Sequence, residues 1–170
     1  ADDSSTPLVN YLSAALAAHY QGRYDQADTL LKRAHISTDG ADPAVGMMQA
    51  QLMLDRQQYE EALAILTRLD RHLPRHPQVL KQLKAAYISV SDWDGLRRLL
   101  PRLADQQLIA REEREQLELQ AYRELILQET RNPEDIERVR NLWSDMPEYL
   151  RTNIDLSPVR GGWNWIFRGD

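Results

Sequence analysis

Residues 24–31 read YDQADTLL, residues 59–66 read YEEALAIL and residues 93–100 read WDGLRRLL. The octets open on Tyr24, Tyr59 and Trp93, spaced by 35 and 34 positions. Ala27, Ala62 and Leu96 stand three residues beyond each aromatic, and Leu31, Leu66 and Leu100 four further on. A small residue followed one helical turn later by a large one lets two helices approach closely and then fills the space against the next layer. A unit of this length is a helix hairpin that cannot bury its apolar face alone, so successive hairpins must stack.

The punctuation around the octets agrees. Thr6-Pro7 supplies an N-cap and a first-turn proline for a helix over 7–21, which Gly22 ends by reaching the left-handed conformation. Asp42-Pro43 and His76-Pro77 start two more first helices, with turns at Gln57-Gln58 and Ser91-Asp92. Pro101 interrupts the helix that Trp93 opens and is expected to kink it. Arg111 to Thr130 reads as a long helix, Asn132-Pro133 caps another toward Met146, and 147–153 forms a short one. The hairpins therefore fall at about 7–35, 43–73, 77–108 and 111–146 within a helical domain over 1–155.

The tail over 156–170 differs in composition. It holds Trp163, Trp165 and Phe167 behind Gly161-Gly162, and its alternation favours an extended, non-helical segment. It reads as a cap on the repeats or a self-docking segment that mediates self-association, in preference to a natural ligand-binding element or a product of truncation.

First-helix positions Tyr11, Ala14, Ala15 and Ala18, and later Leu80, Leu83, Lys84 and Tyr87, occupy the slots of the tetratricopeptide (TPR) pattern W-x-x-L-G-x-x-Y. The fold class that follows is an all-α TPR-like solenoid of antiparallel hairpins. Lys84 and Leu96 stand where the pattern wants small residues, so the third hairpin is expected to pack atypically.

Composition excludes several functions. The net charge is −5 and the 21 basic residues are interspersed with 26 acidic ones, which disfavours nucleic acid as a partner. Cysteine is absent, removing disulfides, thiolate metal sites and cysteine nucleophiles. No apolar run is long enough to span a bilayer. There is no glycine-rich phosphate loop, G-x-S-x-G or H-E-x-x-H. Glu60-Glu61 and Glu112-Glu113 read as solvated helix faces, and Pro74 breaks the helix that would align His72 with His76. No catalytic residue, metal site or resident cofactor is expected.

The remaining candidate is the concave face formed by the first helices. In the aligned register its inward positions are Val9, Leu12, Leu16, His19 and Tyr20, then Met47, Gln51, Leu54 and Asp55, then Lys81, Ala85 and Ile88. Leu16 and Leu54 serve equally well as ordinary core, whereas Tyr20 and Met47 suit an adaptable recognition surface. The set lacks the lysines and asparagines with which TPR clamps grip a terminal carboxylate. An apolar helix or extended segment of a partner protein is the expected guest.

Pro7-Leu8-Val9-Asn10-Tyr11-Leu12, Ala14-Ala15, Gly22, Ala27-Asp28 and Leu31-x-Arg33-Ala34 resemble the haem-biosynthesis-associated TPR proteins of the HemY type. So do Pro74-Arg75-His76-Pro77-x-Val79-Leu80, Ala86-Tyr87-Ile88, Trp93, Leu99-Leu100-Pro101, Gln120-Ala121-Tyr122 and Asn141-Leu142-Trp143. The resemblance covers roughly 7–153 and stops at the tail. It implies a bacterial inner-membrane protein anchored by two upstream transmembrane helices, with its TPR region on the cytoplasmic or, alternatively, the periplasmic side. It further implies a scaffold for late haem synthesis, with direct haem contact as a variant. Two alternatives stand beside it: a porphyrin-binding or channelling module with His19, His35 or His76 as axial ligand, and a generic envelope-assembly or secretion TPR adaptor.

Overall fold

A computed structural model describes residues 6–40, 42–131, 135–159 and 161–169. The described residues are helical and contain no strand, which gives the all-α, TPR-like hairpin class. The backbone groups into two compact units, residues 1–90 and 91–170. α5 falls in the first unit and α6 in the second, so each unit is taken by itself.

The first unit holds α1 (Thr6–Tyr20), α2 (Tyr24–Ser37), α3 (Pro43–Asp55), α4 (Tyr59–His72) and α5 (Pro77–Ser89). α1 packs on α2 and α3 on α4, while α3 also touches α1, α2 and α5, and α4 packs on α5. The start signals act as the sequence suggests. Asp42 accepts from the Ala44 N–H at 2.9 Å, and His76 Nδ1 accepts from the Gln78 N–H at 3.2 Å. Each precedes a proline whose missing N–H costs nothing at that position.

Helix ends repeat one geometry. After α1 the Arg23 N–H donates to the Ala18 carbonyl and the Gly22 N–H to His19, with Gly22 at φ +76°. After α3 the Gln58 N–H donates to Met53 and the Gln57 N–H to Leu54, with Gln57 at φ +62°. This paired pattern satisfies carbonyls that the helix leaves orphaned. Glycine adopts the left-handed backbone freely, whereas a glutamine there carries about 1–2 kcal/mol of steric cost.

Ala27, Ala62 and Leu66 are fully buried and Leu31 nearly so, as the small-then-large register requires. Ala15, Ala18, Ala27, Leu31 and Leu52 form one cluster, against which Leu12, Leu16, Leu30 and Met48 pack. The aromatic that opens the register is not itself core, since Tyr24 is 47% exposed.

The second unit holds α6 (Trp93–Asp105), α7 (Arg111–Arg131), α8 (Ile136–Asp145), α9 (Glu148–Arg151) and α10 (Asn164–Phe167). α6 continues through Pro101. The proline is exposed and removes one backbone hydrogen bond without ending the helix. The Asn132-Pro133 cap lies outside the described residues. α8 is capped by Asp135, which accepts from the Arg138 N–H at 3.3 Å.

The core here is a cluster of Tyr122, Leu125, Ile126, Leu142, Met146 and Leu150. Leu156, Val159 and Phe167 of the tail pack against it. The expected non-helical tail is corrected by α10, a single turn with the Arg168 N–H donating to Asn164 at 2.8 Å. An extended segment would need a neighbouring strand for its backbone groups, and the described residues offer none, whereas a helical turn pairs them locally. Phe167 lies 4.9 Å from the Trp143 ring, and the Arg140 guanidinium sits 5.3 Å from the centre of Trp165. The tail is thus docked on its own unit.

Candidate interaction surface

All twelve predicted groove residues lie in the first unit, on α1, α3 and α5. Exposure grades along α1: Val9 is 57% exposed, Leu12 and Leu16 are half-buried against the alanine cluster, and Tyr20 is 72% exposed. On α3, Met47, Gln51 and Leu54 are half-buried and Asp55 is exposed; on α5, Lys81 and Ala85 are exposed and Ile88 is half-buried.

His19 departs from the expected open position, for it is only 5% exposed. Its Nδ1 accepts from Arg56 Nε at 3.3 Å, which leaves the ring hydrogen on Nε2, facing Asp55 Oδ2 at 3.4 Å. Both nitrogens are therefore engaged, and His19 is not free to act as an axial ligand. Tyr20 meets the imidazole edge-on at 5.2 Å. Of the other histidines raised for that role, His76 uses Nδ1 as a cap, and His35 lies over Gly40, where an added Cβ would come within 2.9 Å of the ring.

The polar residues of this face form a row. Gln82 Nε2 on α5 donates to Gln51 Oε1 at 3.2 Å and to the Met47 carbonyl at 3.3 Å. Gln51 Nε2 donates in turn to Asp55 Oδ1 at 3.0 Å. Asp55 meets His19 on its other oxygen, so α5, α3 and α1 are tied in sequence by side chains. Arg56 extends the tie to α2, pairing with Asp28 at 2.9 Å while its guanidinium lies 4.5 Å from the Tyr24 ring centre.

Gln51, Asp55 and His19 follow from the repeat register, whereas Gln82 and Arg56 do not. Gln82 is 4% exposed and reaches 31 positions back to Gln51. A lone glutamine within an apolar stretch carries no local sign of such a partner.

A second polar arrangement sits in the other unit. Glu118, 5% exposed, accepts from Arg114 Nε at 2.7 Å and from the Tyr149 hydroxyl at 2.6 Å. Burial, together with the hydrogen bond to Glu118 and its charge, pushes the Tyr149 hydroxyl well above its ordinary pKa. Nearby, burial raises Asp94, but the Arg97 hydrogen bond and the charges of Arg97, Arg98 and Arg138 outweigh it and hold Asp94 below the usual carboxylate range. These groups are locked into structural pairs.

Hairpins with an alanine-lined interior and a graded first-helix face define a tetratricopeptide-repeat protein, and residues 18–87 match the tetratricopeptide repeat family. The chain is 31% identical over 156 residues to Protein HemY of Escherichia coli strain K12. It matches Protein HemY of Escherichia coli O157:H7 and of Shigella flexneri to the same extent. That similarity, with the repeat match, supports a HemY-type repeat region. The match covers 92% of this chain and 39% of each relative, so the chain spans about two fifths of their length. No solved structure gives a significant match. Among the described residues, no helix is long and apolar enough to cross a membrane.

Proposed function

We propose that this chain is the soluble repeat region of a bacterial inner-membrane protein, facing the cytoplasm, that scaffolds proteins of late haem biosynthesis and performs no catalysis itself. The carrying observation is the first-helix face. Exposed Val9 and Tyr20 lead into half-buried Leu12, Leu16, Met47 and Leu54, held in place by the polar row beneath. A graded apolar surface with fixed polar points suits an apolar helix or extended segment of a partner. Similarity to HemY supports the link to haem synthesis.

A photo-crosslinking residue at Tyr20 or Ala85 of the full-length, membrane-resident protein tests this. Crosslinks to haem-synthesis proteins, lost in Val9→Glu/Tyr20→Glu, are expected. These two positions are better probes than Leu12, whose packing on the core would confound binding with folding. Absence of crosslinks, together with a Soret shift on haem titration that His35→Ala or His76→Ala removes, would replace the scaffold by a porphyrin-binding module.

A further inference from the structure

α3 has a second face, roughly opposite Met47, Gln51 and Leu54 by helical periodicity. It carries Gly46, Gln49 and Met53 and floors a groove walled by α2 and α4. Two cavities lie along it, of about 420 and 320 Å³, with Gln49 lining both. Gly46 keeps the floor low, since an added Cβ would come within 3.2 Å of the Leu69 side chain.

The two cavities differ in chemistry. The first, at the start of α3, is lined by His35, Arg68 and His72, with Leu69 and Leu73 beneath. Its one carboxylate, Asp42, is already occupied as the α3 cap. Among the described residues, the side chains of Arg68, His35 and His72 have no hydrogen-bond or ion-pair partner. The second, at the end of α3, is lined by Leu31, Leu52 and Met53, and its charged rim is partly neutralised by the Arg56–Asp28 pair. The first cavity thus offers the unpaired Arg68 guanidinium beside two imidazoles, and the second is mainly apolar beneath a rim that also holds Lys32 and Glu61.

The cavities are centred about two helical turns apart along α3, or about 11 Å by the rise per residue. Residues i and i+7 of a second helix laid along the groove have that spacing. We infer that the α2–α4 groove docks an amphipathic helix of a partner protein, with an acidic side chain at i in the His35–Arg68–His72 cavity and a large apolar side chain at i+7 in the Leu31–Met53 cavity. Charge complementarity with Arg68 selects the acidic end, because an approaching carboxylate gains its unpaired guanidinium, with imidazole N–H groups alongside, in a partly desolvated cleft. This site is separate from the α1–α3–α5 face and stands or falls without it.

The test is an array of alanine-based helical peptides of about 15 residues, varied at two positions seven apart and read by fluorescence anisotropy on the whole chain. Peptides pairing Glu or Asp with Leu, Met or Phe are expected to bind, weakening with added salt. Arg68→Glu should weaken these by about tenfold and favour the matching lysine peptides, with Arg68→Gln falling between. Arg111→Glu, the same charge change at an exposed position on α7, should leave this binding unchanged. Failure of the acidic peptides to outbind the lysine ones, or indifference to Arg68→Glu, would overturn the inference.

Discussion

The two units bury their apolar surface in different ways. In residues 1–90, small residues recur at fixed intervals, so one packing rule is applied more than once. In residues 91–170 the long α7 packs on α6 and α8, and the single turns α9 and α10 and the aromatic tail add dissimilar pieces to that core. Its polar core residue Glu118 is satisfied by a tyrosine 31 positions away. A repeated rule leaves a period in the sequence, and a set of individual pairings does not. The contrast also bears on the proposed function, because α1, α3 and α5 share one face while the tail packs on its own unit.

The strongest way to break the repeat rule is Leu66→Ala. The side chain is fully buried, and the change should cost about 2–5 kcal/mol by chemical denaturation. A cost below about 1 kcal/mol, the range of a surface change, would show that the 24/59/93 register does not define the core. Tyr149→Phe probes the individual pairings. It removes the hydroxyl from a buried carboxylate and should cost about 1–2 kcal/mol, discounted for partial exposure of the tyrosine.

The same pair predicts a pH signature. Tyr149 holds its proton more tightly folded than unfolded, so its contribution is complete below the unfolded tyrosine pKa near 10 and is lost as pH rises beyond it. Asp94 has the opposite sense. Its folded pKa is depressed, so its contribution is present above the unfolded value of about 4 and is lost as pH falls through the folded one. Melting temperatures measured across both limbs should fall at each, and Tyr149→Phe should flatten only the alkaline limb.

Smaller effects sharpen the comparison further. Phe167→Ala should cost about 1 kcal/mol through loss of the Trp143 pairing, with hydrogen exchange rising in α8. The smallest has the other sign. Gln57→Gly should stabilise by about 0.5 kcal/mol, the left-handed strain relieved exceeding the added chain entropy. A destabilised variant would mean that the Gln57 side chain contributes to the turn.

Residue by residue, what could be read from sequence was what acts locally. Asp42-Pro43 and His76-Pro77 announce helix starts because a cap and its target N–H are two positions apart. Gly22 announces a left-handed residue, but Gln57, Ser91 and Gln107 adopt the same conformation, at φ +62°, +58° and +56°, with nothing in the side chain to signal it. Helix α10 was missed because a 15-residue tail offers too few positions to separate alternation from a single turn. Of the candidate face, the apolar positions followed from register. The partners of His19 did not, since Arg56 lies 37 positions away and its orientation depends on how α3 ends. The α2–α4 groove was invisible for a related reason: it exists where Gly46 withholds a side chain, and a sequence shows residues more readily than the space between them.

The row from Gln82 to Asp55 has a sense of direction. Gln82 gives a hydrogen to Gln51, Gln51 gives one to Asp55, and Asp55, receiving from both ends, gives none. The carboxylate is the sink that orients every amide upstream of it, much as one fixed compass needle turns its neighbours. Replacing it with an amide, as in Asp55→Asn, would remove the reason for Gln51 to point its nitrogen forward. The disturbance would then travel to α5 as a reversal of polarity, reaching a helix that the substituted residue never touches.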